Sequence, residues 1–204
     1  DLRASGRSWW SGPLTFDLLA DDVVRVLDHM GVERAVVGGA SGGTGVALRL
    51  ALRYPERVSG LVLVKPVYAG AEPGYTEAQR TTFSMMDAIA SRAVDEGIDV
   101  LRPLYANLPE PMRERAQALA ATFDPASVVA TSRFISSGAQ PFSSADDLKF
   151  VAMPTLLVRG DDALHPSSVS DLYDAHIPDC TTLPASTVDV AAAIAAFAAD
   201  ARLA

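Results

Sequence analysis

The chain has 204 residues and a formal net charge of −8, with 49% hydrophobic and 21% charged residues. This balance is typical of a globular domain with a sizeable core, and the acidic excess disfavours a nucleic acid as partner. No apolar run reaches the roughly 18 residues that predict a membrane span. Cys180 is the single cysteine, so an intrachain disulfide is excluded, and no residue pattern predicts a metal site or a bound cofactor.

The first residue is Asp1 and not a methionine, so we expect a segment upstream of it to have been removed or to lie outside this sequence. The opening residues have neither the basic start nor the apolar core of a secretory signal. These features favour a cytoplasmic protein.

A loop over residues 1–14 precedes a helix that is predicted from Thr15, because apolar residues then recur at helical spacing as far as Met30. Gly31 follows as a helix-ending residue. The next apolar stretch, Ala35–Val37, predicts a short strand, followed by a glycine-rich turn and an apolar helix that ends before Pro55.

The glycine-rich turn contains the pattern G-x-S-x-G over Gly39–Gly43, with Ser41 at its centre. Small residues on both sides of a serine allow a sharp strand-to-helix turn that lifts the hydroxyl above the sheet, as in a nucleophile elbow. The alternative, a dinucleotide-binding turn, requires an acidic residue at the end of the next strand. The strand near 61–65 has none, which disfavours that alternative.

Val58–Val64 is almost continuously apolar, which is typical of a parallel strand buried on both faces. From 67 to 147 the pattern predicts helices and loops, and regular alternation of strands and helices then resumes. A long helical insertion between two strands of a parallel sheet is typical of a lid. The helices predicted in the insertion are 77–95, 97–107, 111–123 and 125–136; the later elements are a strand at 154–159, a helix at 167–176 begun by a Ser167 or Ser168 cap, a strand at 181–183 and a helix at 188–203.

In this order the elements resemble the α/β-hydrolase superfamily, most closely its compact, lidded bacterial esterases and lactonases. The opening DLRASGRS resembles the family's D-x-R-G-x-G-x-S segment, with Ala4 where glycine is usual. The resemblance implies an α/β fold with a parallel sheet flanked by helices. It also implies a core formed by 1–66 and 148–204, and a helical lid over 67–147 that follows the strand after the nucleophile helix.

The resemblance further implies the site residues. Ser41 matches the nucleophile, and the backbone N–H of Gly42 would donate to the oxyanion. The loop Gly160–Pro166 matches the loop that carries the catalytic acid. Of its two adjacent carboxylates, Asp162 is favoured over Asp161 because it holds the family's position when the loop is read back from Leu164-His165-Pro166.

Two departures from the family pattern accompany the resemblance. The strands that usually precede the opening segment are missing, together with a loop that supplies a second oxyanion donor. We therefore expect an open edge at the strand before Ser41, which favours self-association or pairing with an N-terminal fragment. The loop 183–188, where the family places its general base, has no histidine. His165 is an alternative base, although the family uses His-Pro there as a structural turn, and His176 is predicted to pack away from the site.

These observations predict a serine hydrolase that acts on a small, mainly apolar ester, lactone or thioester, weakened or incomplete because its base is not in the expected place. The alternative is a non-catalytic protein of the same fold that binds a small ligand or a partner. A serine hydroxyl such as that of Ser186 cannot act as the base for Ser41 at neutral pH, because its basicity is far too low.

Overall fold

The computed structural model describes residues 1–201, and the predicted continuation of the last helix to Leu203 lies outside them. Helices alternate with four parallel strands, as the sequence predicts. The strands are β1 Ala35–Ala40, β2 Val58–Val64, β3 Thr155–Val158 and β4 Cys180–Leu183. The α-helices are α1 Phe16–His29, α2 Gly43–Arg53, α3 Glu77–Ala90, α4 Ala93–Glu96, α5 Met112–Ala120, α6 Pro125–Ser136, α7 Ser167–His176 and α8 Val190–Asp200. Three 3₁₀ helices lie at Pro55–Arg57, Ile98–Tyr105 and Ala145–Phe150.

The sheet has the order β1-β2-β3-β4, and its strands end in register. Ala40 pairs with Val64, Val64 with Val158, and Val158 with Leu183. Because all four strands run the same way, the loops that follow them meet at one edge of the sheet, where parallel α/β sheets place their sites. Within residues 1–201, β1 pairs with β2 on one side only. Association through its other side stays a prediction.

The central strands form the core of the sheet. Leu61 and Leu63 of β2 and Leu157 of β3 are completely buried, and all four residues of β3 are buried. Fully burying a leucine side chain contributes about 1.5–3 kcal/mol, so these strands supply much of the stability on which the loops depend. The predicted buried parallel strand Val58–Val64 is confirmed to the residue.

The chain divides into two compact units. Residues 16–76 and 140–204 form the sheet unit, of which the structure describes the part up to 201, and residues 1–15 and 77–139 form the helical unit. The predicted division placed 1–15 with the core; the structure groups them with the inserted helices instead. In the helical unit the backbone N–H of Trp10 donates to Ser127 Oγ of α6 at 2.8 Å. A lid role for this unit stays a prediction.

Several element boundaries differ from the predicted ones. The strand β1 continues through Gly38, Gly39 and Ala40. The helix predicted over 77–95 is interrupted between α3 and α4, and 97–107 is replaced by a 3₁₀ helix that contains Pro103. The helix α7 has the predicted bounds, but the residue before it is Pro166 and no serine hydroxyl caps it.

None of the helices in residues 1–201 combines the length and the apolar character needed to cross a bilayer. The same residues contain no group of three or more histidine, cysteine or acidic side chains placed to hold a metal ion.

Candidate active site

Ser41 occupies the turn between β1 and α2 with a φ of +51°, a left-handed conformation that residues other than glycine rarely adopt. Its backbone N–H donates to the carbonyl of Val64 at 2.9 Å, which extends the pairing of β1 with β2 by one residue. Its carbonyl accepts bonds from the N–H and the hydroxyl of Thr44, at 3.0 and 2.6 Å. These bonds fix the strained turn, and strain of this kind concentrates at functional sites.

The turn also requires Gly39, because the backbone folds back onto it. A Cβ at Gly39 would lie 2.1 Å from the carbonyl oxygen of Gly43 and 2.2 Å from its carbonyl carbon. Both atoms belong to the backbone of α2, so neither can move without opening the turn. The local structure therefore depends on the absence of a side chain here.

We expect Gly39→Ala to lower the free energy of unfolding by about 3 kcal/mol or more, through steric overlap at the elbow. Urea denaturation followed by circular dichroism measures this. Gly43→Ala is the matched control, since a Cβ there meets nothing within 4 Å and alanine favours the first turn of a helix. Equal stability of the two variants would contradict this account of the turn.

The loop after β3 carries the candidate acid, and its conformation is built around that carboxylate. Asp162 Oδ1 accepts the backbone N–H groups of Leu164 and His165, both at 2.9 Å. The loop also closes tightly on Gly160, where a Cβ would lie 2.2 Å from the carbonyl oxygen of His165. These contacts turn the chain so that the imidazole of His165 faces the carboxylate three residues before it.

His165 lies between Asp162 and Ser41. Its Nδ1 is 2.8 Å from Asp162 Oδ1 and 2.9 Å from Oδ2, and its Nε2 is 2.9 Å from Ser41 Oγ. In the neutral imidazole, Nδ1–H then donates to the carboxylate and Nε2 accepts the serine hydroxyl. The three side chains thus lie within the hydrogen-bonding distances that nucleophilic catalysis requires.

The electrostatics of Asp162 suit this arrangement. Partial burial raises the pKa of its carboxyl, but the hydrogen bonds from the side chain and backbone of His165 and from the N–H of Leu164 outweigh burial. The net pKa is below the ordinary value, so Asp162 stays ionised at neutral pH. An ionised carboxylate here holds the imidazole in one tautomer and stabilises it once it takes a proton.

Gly42 precedes the first residue of α2, and the N–H groups at a helix N-terminus have no partner within the helix. Such groups carry partial positive charge and suit a developing oxyanion. Tyr68 lies beside them, since its hydroxyl is 3.6 Å from where a Cβ on Gly42 would stand. Burial raises the pKa of Tyr68 to about 12, so this wall of the site is neutral.

The structure brings together Ser41 and Asp162, the two predicted catalytic side chains. Asp161, the alternative acid, points instead to Lys65, 3.7 Å from its Nζ. His165, the less favoured alternative base, is in contact with both of these side chains. His176 is engaged elsewhere, with Nδ1 2.9 Å from the carbonyl of Leu172. The signal for His165 was its spacing of three residues from Asp162 on a loop at the correct edge.

A parallel sheet flanked by helices, with a serine at a strand-to-helix turn and an aspartate on a later loop of the same edge, is the architecture of the α/β hydrolases. The histidine on the loop of that aspartate departs from the family pattern. The chain belongs to the alpha/beta hydrolase fold family, whose model matches residues 1–187. The predicted family and fold are confirmed.

Curated relatives agree with this assignment. A protein from Azorhizobium caulinodans named "Putative carbamate hydrolase RutD" is 31% identical over 190 residues, which cover 88% of this chain and 68% of the relative. A homoserine O-acetyltransferase from Thermus thermophilus is 56% identical over 52 residues, which are 26% of this chain and 14% of that enzyme. The chain thus spans about two thirds of the first relative and a small part of the second.

Solved structures share the fold. A thermophilic esterase from Thermogutta terrifontis has a TM-score of 0.76 at 23% identity, covering 98% of this chain and 78% of that one. The enol-lactonase from Burkholderia xenovorans has a TM-score of 0.74 at 18% identity, covering 100% of this chain and 79% of that one. At these identities the likeness establishes the fold alone.

Proposed function

We propose that this chain is a serine hydrolase that transfers an acyl group to water through a covalent intermediate on Ser41. The observation that carries the proposal is the contact of His165 with Ser41 on one side and with Asp162 on the other. A histidine so placed supplies the base whose absence from the loop 183–188 would otherwise leave the serine inactive. In this proposal His165 is therefore the general base, which the sequence did not identify.

The proposed reaction has two halves. Ser41 Oγ attacks the carbonyl carbon while its proton passes to His165 Nε2, and the backbone N–H of Gly42 stabilises the negative oxygen. The carbon–leaving-group bond then breaks, and His165 returns the proton to the leaving group. Water attacks the resulting acyl-serine in the same way, with His165 again as base, and releases the acid. Asp162 remains ionised throughout and orients the imidazole.

The substrate class that we propose is a small, mainly apolar ester, lactone or thioester. This is the class that the resemblance to lidded esterases and lactonases implies. The relative named as a carbamate hydrolase adds a carbamate to the compounds worth testing, because the same serine chemistry opens a carbamoyl carbonyl.

A fluorophosphonate probe tests the proposal directly, because it reacts with a serine only when a base activates the hydroxyl. We expect the intact mass of the folded chain to increase by one adduct, and peptide mapping to place that adduct on Ser41. Chain denatured by heat before labelling is the control and should gain no adduct.

A folded chain that gains no adduct would overturn the proposal, and so would an adduct on any other residue. The chain would then be treated as a non-catalytic member of the family. Binding of small apolar ligands, measured by a shift in the thermal midpoint, would become the working hypothesis for its function.

A further inference from the structure

Lys65 stands at the carboxyl edge of the sheet, immediately after β2 and so between the strand that leads to Ser41 and the loop that carries Asp162. Its φ is +51°, a second left-handed position outside glycine at this edge. Its backbone N–H donates to the carbonyl of Val158 at 2.8 Å. This bond joins Lys65 to β3, and its side chain reaches the loop that follows that strand.

The ammonium group of Lys65 faces two carboxylates. Its Nζ is 3.7 Å from Asp161 Oδ1 and 3.9 Å from Asp162 Oδ2. The oxygen of Asp162 that faces Lys65 is also 2.9 Å from Nδ1 of His165. At these separations the ammonium of Lys65 acts on the carboxylates through its charge. The carboxylate of Asp162 contacts both this ammonium and the imidazole of His165.

We infer that Lys65 is a positioning residue of the proposed hydrolase: its positive charge offsets the two carboxylates beside the proposed base and so extends the pH range in which Ser41 reacts to lower values. The inference rests on the proposed function, because it concerns the base of that reaction. It assigns a role to a residue that the proposed reaction steps do not use.

The direction of the expected change in the pH profile follows from the charges around the imidazole. His165 acts as base only when it is neutral, and a nearby cation makes the imidazolium form less favourable. Lys65 pairs with Asp161 and Asp162 at this edge, while Arg159 at the start of the loop is engaged by Asp171 of α7. Removing Lys65 leaves the two carboxylates uncompensated, so the labelling rate of Ser41 should begin to fall at a higher pH.

The experiment measures the rate constant of fluorophosphonate labelling of Ser41 against pH at low ionic strength. We expect Lys65→Met to move the midpoint of the acid limb upwards by about half a pH unit or more. Lys65→Arg should leave the midpoint in place, because it keeps the charge. Asp161→Asn should move the midpoint in the opposite direction, because it removes a negative charge from the same cluster.

Two further measurements separate charge from structure. Lys149→Met is the matched control, since it removes an exposed lysine that pairs with Asp146 on another element, and it should leave the midpoint unchanged. In 1 M salt the shift caused by Lys65→Met should shrink, because salt screens exposed charges. Lys65→Asn, which suits the left-handed backbone better than methionine, repeats the test if Lys65→Met proves unstable.

A midpoint that stays in place in both Lys65→Met and Lys65→Asn, with Ser41 still labelled, would overturn the inference while leaving the proposed function intact. A rate that falls equally at every pH would have the same meaning, because it would indicate a purely structural lysine. A starting chain that takes no label at any pH would overturn the proposed function, and the inference with it.

Discussion

Replacing Ser41 with alanine is expected to lower the rate of p-nitrophenyl ester hydrolysis by at least about 10⁴-fold. The variant loses the hydroxyl that carries the proposed acyl intermediate, while His165 and Asp162 keep their own contact. We expect the free energy of unfolding to change by less than about 1 kcal/mol, because Ser41 is exposed and alanine replaces it at the same strained φ without added bulk.

Steady-state kinetics on purified protein and urea denaturation measure the two expectations separately. Ser186→Ala is the matched control: Ser186 is an exposed serine in the loop 183–188, where the family usually places its histidine. Its removal should change neither rate nor stability. Hydrolysis that survives in Ser41→Ala would assign the activity to another group or to a contaminant. If the rate fell together with a large loss of stability, disruption of the turn around Gly39 would explain the lower rate, and the loss of the hydroxyl would not be needed to explain it.

Local signals were sufficient for much of the sheet unit. The continuous apolar run of β2 and the bounds of α7 were predicted to the residue, because strand burial and helical periodicity are properties of neighbouring residues. The elbow was also visible in the sequence, since its glycines stand at fixed offsets from Ser41. The fold family followed from the order of these elements.

Contacts between distant residues account for what was missed. The last residues of β1 are Gly38, Gly39 and Ala40, which have low strand propensity, and they are extended because they pair with Val62–Val64 of β2. The opening segment joins the helical unit through the bond from Trp10 to Ser127, across 117 residues of sequence. Neither pairing leaves a periodic pattern in the chain.

His165, the proposed base, was the least predictable residue of the candidate site, for the same reason. His165 is 124 residues from Ser41, and its role depends on the in-register ends of β1, β2 and β3, which bring two loops to one edge. The family pattern pointed to the loop 183–188 instead. Only the short spacing between Asp162 and His165 was visible locally, and such a spacing is equally typical of a structural turn.

Removing the imidazole in His165→Ala is therefore the sharpest test of the unusual placement. We expect the rate of ester hydrolysis to fall by about 10³–10⁶-fold, since a serine without its base retains only the contributions of oxyanion stabilisation and binding. The bonds from the backbone N–H groups of residues 164 and 165 to Asp162 do not involve the imidazole and should preserve the loop. Free imidazole added to the variant should restore part of the rate by occupying the vacated space.

His176→Ala is the matched control, because His176 bonds to the carbonyl of Leu172 within α7 and has no part in the proposed reaction. It should keep the full rate. If His165→Ala hydrolysed the ester as fast as the unchanged chain, the base would have to be another group. The contact of His165 with Ser41 would then have only a structural role. If His165→Ala were inactive and less stable, and imidazole did not restore its rate, disruption of the loop around Gly160 would explain the loss of activity. Recovery with imidazole at unchanged stability separates the chemical role from the structural one, because only a missing base can be replaced by a free one.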